Sequence, residues 1–131
     1  MKKQPTGMPK FRSKKPLQLS RHQDPGYVVG GRVWLAKDGE LYMGWGRAIL
    51  LERIEQYGSI AAAARSMQLG YRNAWLWVRA MNRLAPAPLV EKTAGGPGGR
   101  HSRLTGEGYK ALREYKELRT RFQDFLSAEK E

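Results

Sequence analysis

Cysteine is absent from all 131 residues, so neither a disulfide frame nor a thiolate-bound zinc finger can support this chain. His22 and His101 are the only histidines, which leaves a catalytic metal nothing but an unusual all-carboxylate ligand set. No apolar run approaches the roughly 18 residues a membrane-crossing helix needs. The start, "MKKQPTGMPKFRSKK", has lysines but lacks the apolar stretch of a secretory signal. Acids are scarce where bases gather: residues 1–26 hold seven Lys or Arg against Asp24 alone, and residues 70–104 hold six against Glu91 alone. Glu52, Glu55, Glu107, Glu114 and Glu117 fall at helical spacing among basic residues, the pattern of exposed ion pairs. Neither a nucleophile beside a base nor a metal cluster emerges, so the chain reads as a non-enzyme with no metal and no cofactor.

What is present is positive charge. A formal net charge of +12 and a pI near 10.3 argue for a polyanionic partner and say nothing of fold. The length suits one domain of ordinary size, here residues 27–131, preceded by a basic arm over residues 1–26. The arm mixes lysine, proline, glycine and serine and has too little apolar surface to offset the entropy of ordering. It is expected to be flexible, either inert or in non-specific contact with phosphates. The expected compartment is a reduced one, cytoplasmic and nucleoid-associated, with no membrane contact.

Along the domain, "GGRVWLAKDGELYMGWG" at residues 30–46 sets β-rich residues on either side of Asp38-Gly39, a tight-hairpin dipeptide. "RAILLERIEQYG" follows with Ile49, Leu50, Arg53, Ile54 and Tyr57 at helical spacing and a glycine stop at Gly58. Ser59 suits the cap of "IAAAARSMQL", with Ile60, Ala63, Ala64 and Met67 on one stripe. After "QLG" a third run, "YRNAWLWVRAMNRLA", has Ala74, Val78, Met81 and Leu84 or Ala85 on one side. Two short helices across a tight turn form the helix-turn-helix pattern. Pro86 and Pro88 end the third run, residues 89–105 read as a hairpin with a long glycine-rich tip, and Thr105 caps a long last helix, about 105–128.

The expected fold is therefore mainly α: a winged helix-turn-helix with a short N-terminal β-hairpin, a β wing and a long C-terminal dimerisation helix. In such a fold the second helix of the pair enters the major groove, which is about 12 Å wide. Tyr71, Arg72, Asn73, Leu76, Arg79 and Arg83 lie largely off the apolar stripe of residues 71–85 and are the candidate DNA contacts. Arginine suits guanine and asparagine suits adenine through paired hydrogen bonds. Of the two tryptophans, Trp75 is expected to close the core, while Trp77 is either exposed or kept for a partner. "GGPGGRHSR" lacks the Gly-Lys-Ser/Thr end of a nucleotide-binding loop and the spacing of a dinucleotide fingerprint. As a wing tip it brings backbone close to phosphate, with Lys92, Arg100, His101 and Arg103 as donors; the plainer alternative is a surface loop. Tyr109, Leu112, Tyr115, Leu118, Phe122 and Phe125, with Leu126, form an apolar stripe on the last helix. It is expected to pair with a second copy, the alternative being closure of the chain's own core.

"GSIAAAARSMQLGYRNAWLWVRAMNRL" followed by "PLVEKTAGGPGGRHSRLTGEGYKAL" resembles the N-terminal DNA-binding domain of ModE-type molybdate-responsive transcriptional regulators. That domain is itself similar to the LysR-type helix-turn-helix. The resemblance covers roughly residues 30–120 and rests on Gly58-Ser59, Tyr71 with Ala74-Trp75, Met81-Asn82, Leu89-Val90-Glu91, the glycine-rich wing and Leu104-Thr105 with Gly108. It implies a dimeric regulator, with the recognition helix on residues 71–85 and the wing on 89–105. Two departures matter: glycine stands at Gly70 where the family often has serine, and the molybdate-binding C-terminal domains are missing from these 131 residues. Binding of molybdate or another effector is accordingly not expected in this chain. The leading expectation is a sequence-specific regulator of double-stranded DNA; the alternative is a non-specific protein that coats RNA or DNA.

Overall fold

The computed structural model describes residues 29–94 and 101–129; the basic arm and the wing tip, Arg100 included, lie outside the described residues. The elements run β1 (Leu35–Lys37), β2 (Glu40–Met43), α1 (Trp45–Tyr57), α2 (Ile60–Ser66), α3 (Tyr71–Leu84), β3 (Val90–Lys92), β4 (Ser102–Leu104) and α4 (Gly106–Ala128). Four helices and two separate antiparallel hairpins make the described chain mostly helical, in the order the sequence suggested.

Each turn has a local chemical cause. Asp38 (φ 53°) and Gly39 (φ 77°) both adopt the left-handed conformation that a two-residue hairpin turn of the primed kind requires. Gly58 ends α1 at φ 80°, its N–H donating to Ile54 O. One residue later the Ser59 hydroxyl accepts from the Ala62 N–H at 3.0 Å and starts α2. Between α2 and α3 the turn bends at Gln68, φ 55°.

The first hairpin carries a bulge, since Ala36 pairs with Leu41 but Leu35 pairs with Met43, leaving Tyr42 extra. Arg47, from the first turn of α1, uses the carbonyls this frees: its Nη1 donates to Leu41 O at 2.9 Å and Tyr42 O at 3.3 Å. The side chain is 1% exposed, its Nε finds no partner among the described residues, and its guanidinium sits 5.8 Å from the Trp77 ring centroid. Burial pushes its pKa down to about 10, opposed by the charge of Glu40, so it remains a cation at neutral pH.

α1 is the central helix. Its expected single stripe was too narrow: Arg47, Ala48, Ile49, Leu50, Leu51 and Ile54 are all buried, because α2, α3, α4 and β4 all pack on it. Tyr57 is a correction in the opposite sense, being exposed in the last turn beyond that cover. Ala63 and Ala64 of α2 are buried, their small side chains leaving room for the neighbouring helices.

The connection from α3 to β3 is held by Asn82, whose Oδ1 accepts from Leu89 N–H (2.8 Å) and Val90 N–H (3.1 Å) while Nδ2 donates to Val90 O (3.1 Å). Thr105 closes the other side of the base of the second hairpin. Its hydroxyl donates to Pro88 O at 2.6 Å and accepts from Gly108 N–H at 3.0 Å, and its N–H donates to Leu89 O at 2.9 Å. Gly108 lies so close to this loop that a Cβ would stand 2.2 Å from Leu89 O.

On α4 the expected single stripe divides. Tyr115 is 1% exposed inside the chain's own core, its hydroxyl donating to Val33 O at 2.8 Å, so it is corrected from a partner-facing residue to a core residue. Phe122 is half-buried with Gly31 against it, the Gly31 Cβ position lying 2.9 Å from Phe122 Cζ. Leu126 is buried, Leu112 and Leu118 are half-buried, and Tyr109 and Phe125 face outward.

Candidate nucleic-acid interface

α3 is strongly two-sided. Ala74, Trp77, Val78, Met81 and Leu84 are buried, whereas Tyr71, Arg72, Asn73, Leu76, Arg79 and Arg83 are all exposed. Arg72, Leu76, Arg79 and Arg83 follow one another at spacings of four, three and four residues, so they form one row opposite the buried face. Asn73 lies to one flank of that row. The helix opens at Gly70 without a side-chain cap and has no acid in its first turn, so the positive end of its dipole is not neutralised there.

The tryptophan assignment is reversed. Trp77 is 6% exposed and belongs to the core, and Trp75 is 37% exposed on the arginine side of the helix. The expectation placed Trp75 beside Ala74 and Val78, but the buried slot runs from Ala74 through Trp77 to Met81 and is filled by Trp77 against Arg47. Trp75 instead carries Arg79, whose guanidinium carbon is 5.1 Å from the indole centroid. One helical turn separates the two, the spacing at which side chains stack along a helix.

The first hairpin braces the far end of α3. Lys37 Nζ donates to Leu84 O at 3.1 Å, a cation on helix-terminal carbonyl, and Arg83 pairs with Glu40 at the surface. That pairing lowers the Glu40 pKa and raises the Arg83 pKa. Of the expected contacts on α3, Arg83 therefore shares its charge with a carboxylate.

The second hairpin pairs Val90 with Leu104, Glu91 with Arg103 and Lys92 with Ser102. Lys92, His101 and Arg103 are exposed, and Arg103 Nε donates to Glu91 Oε2 at 2.9 Å. The β4 side of this hairpin is anchored along its length to the end of α1. Gly58 O accepts from the N–H groups of His101 (2.7 Å) and Ser102 (2.9 Å), and Glu55 Oε1 accepts from Leu104 N–H (3.0 Å). The same segment thus fixes both the start of the helix pair and the hairpin.

Sequence reasoning missed Arg47, Asn82 and the exposure of Trp75. Asn82 entered only through its place in the resemblance, and two prolines plus a strand start directly after it were the available signal for a turn-bridging amide. Among the described residues no cluster of metal ligands exists and no helix is long and apolar enough to cross a membrane.

These elements define a class: a mostly helical domain in which a tightly joined helix pair precedes a small hairpin and a long helix, an arrangement compatible with a winged helix-turn-helix. No family model matches the chain. It is similar to the molybdenum transport protein ModE of Azotobacter vinelandii, 42% identical over 80 residues, which are 61% of this chain and 30% of that protein. The transcriptional regulator ModE of Haemophilus influenzae is 39% identical over 69 residues, 53% of this chain and 27% of that one. The DNA-binding transcriptional dual regulator ModE of Escherichia coli is 36% identical over 69 residues, 53% and 26% respectively. The resemblance to ModE-type regulators is thereby borne out, and the chain spans less than a third of the length of these curated relatives.

Proposed function

We propose that this chain is a sequence-specific regulator of double-stranded DNA with a winged helix-turn-helix, binding as a symmetric pair. α3 enters the major groove; Arg72, Arg79 and Arg83 with Tyr71, Asn73 and Leu76 face base edges and phosphates, and Lys92, His101 and Arg103 of the hairpin contact the backbone beside it. One observation carries the reading: a surface row of arginines on a helix whose opposite face is fully committed to the core, within a chain of net charge +12. A groove-sized rod with a basic outer face suits a duplex. The names of the relatives, transcriptional regulators among them, point the same way.

The second copy docks along the outer side of α4, where a shallow open groove of about 670 Å³ runs past Tyr109, Leu112, Arg113, Lys116, Glu117 and Arg121. α4 has 23 residues, a length of about 35 Å at 1.5 Å per residue, and Arg113, Lys116, Glu117 and Arg121 are exposed along the groove. Two-fold pairing sets the recognition helices about 34 Å apart, one turn of duplex.

Selection from random duplexes tests the proposal. The expected product is a palindrome with half-sites one turn apart, bound with affinity that falls by a log–log salt slope of about 0.9 per neutralised phosphate. Absence of any enriched sequence at about 0.15 M salt would overturn it.

A further inference from the structure

We infer that Trp75 is a specificity-determining residue of the α3 surface: it fixes Arg79 by stacking and presents the rest of its ring to the 5-methyl group of a thymine. This rests on the DNA-binding reading above and adds a residue and a base contact to it.

Trp75 is 37% exposed, while Trp77, two residues on, fills the core position. Part of its indole is covered by Arg79, 5.1 Å away, and this pair borders the row of Arg72, Leu76 and Arg83. Stacking removes freedom from a long arginine side chain before any partner arrives, so less is lost when it forms paired hydrogen bonds. What remains of the indole surface is apolar apart from its Nε1–H, next to a charge that attracts phosphate and guanine. Bases in a duplex stay stacked, so a groove-side aromatic meets only their edges, and the apolar group on those edges is the thymine methyl. Arg79 occupies one face of the ring. Four residues of helix rise are about 6 Å, so the thymine lies within about two base pairs of the position read by Arg79.

The test takes the full chain and its selected duplex and replaces each thymine in turn by deoxyuridine, which lacks only the methyl. In the wild type, one thymine per half-site should show an affinity loss of about threefold to tenfold, the scale of one buried methyl group. Trp75→Ala should bind thymine and deoxyuridine equally at that position, Trp75→Phe should keep a reduced difference, and Leu76→Ala should leave that position's difference intact. Arg79→Ala should relax the choice of base within about two base pairs of it. Circular dichroism and the Trp75→Phe variant separate a folding defect from loss of the contact. A selected site at which no thymine is methyl-sensitive, or at which Trp75→Ala keeps the wild-type methyl profile, overturns the assignment of Trp75 and leaves the regulator reading standing. Failure to select any site removes both.

Discussion

At the scale of single residues, the exchange between Trp75 and Trp77 separates packing from surface chemistry. Truncating the buried ring removes a large apolar group and leaves a cavity, so Trp77→Ala is expected to cost about 3–5 kcal/mol of unfolding free energy in a urea titration. Trp75→Ala should stay within about 1 kcal/mol in the same titration. Tyr115 gives a pH-dependent counterpart. Burial pushes its phenol pKa up from 10.0, with the charge of Arg119 partly opposing. A phenol whose folded pKa lies above its unfolded value contributes stability that is complete below about pH 10 and is lost as pH rises through the folded pKa. Tyr115→Phe should therefore cost about 1 kcal/mol at about pH 8, through the lost bond to Val33 O. That deficit should shrink on titration to about pH 10.5, and a deficit constant with pH would contradict the buried, protonated phenol.

Elements are joined here by a few backbone-directed side chains. Asn82, Thr105 and Gly108 converge on the loop that carries Pro88 and Leu89, tying α3, the second hairpin and α4 to one another within a few ångströms. Gly108 is the least replaceable of them. Alanine is normally better than glycine inside a helix, but its Cβ would stand 2.2 Å from Leu89 O, a backbone atom with no side-chain freedom to move away. Gly108→Ala is expected to destabilise the fold by about 2 kcal/mol or more and to lower the melting temperature, while Gly106→Ala, in open space two residues earlier, should not. The β4 segment donates to Gly58 O and Glu55 at the end of α1, so a shift of the second hairpin must also move the end of α1.

For the whole molecule, charge distribution sets the expected binding behaviour. The arm over residues 1–26 carries seven Lys or Arg against one acid, and the domain carries its own arginine row on α3. Under the regulator reading, deleting residues 1–26 should lower affinity for all duplexes together and reduce the salt slope by about 0.9 per lost phosphate contact, while the preferred sequence stays the same. A coating protein would instead lose most of its affinity, with no preference left to compare. Competition between selected and scrambled duplexes, with and without the arm, distinguishes these results.

Much of the element order was legible because its causes are local. Asp38-Gly39, Gly58-Ser59 and Thr105 each set a turn or helix end through their own conformational or hydrogen-bonding preference, and the alanine run of α2 announced close packing. The sequence by itself therefore determined where helices and hairpins begin and stop, and how much positive charge the chain carries. Only tertiary structure decided which side of a wide apolar face becomes core. Trp77, three residues after Ala74 and four before Met81, falls on the apolar stripe by spacing alone, whereas Tyr115 is drawn into the core by Val33, which comes to it from far along the chain. Burial is a property of the neighbours a residue meets, and those neighbours are fixed only when distant segments pack together.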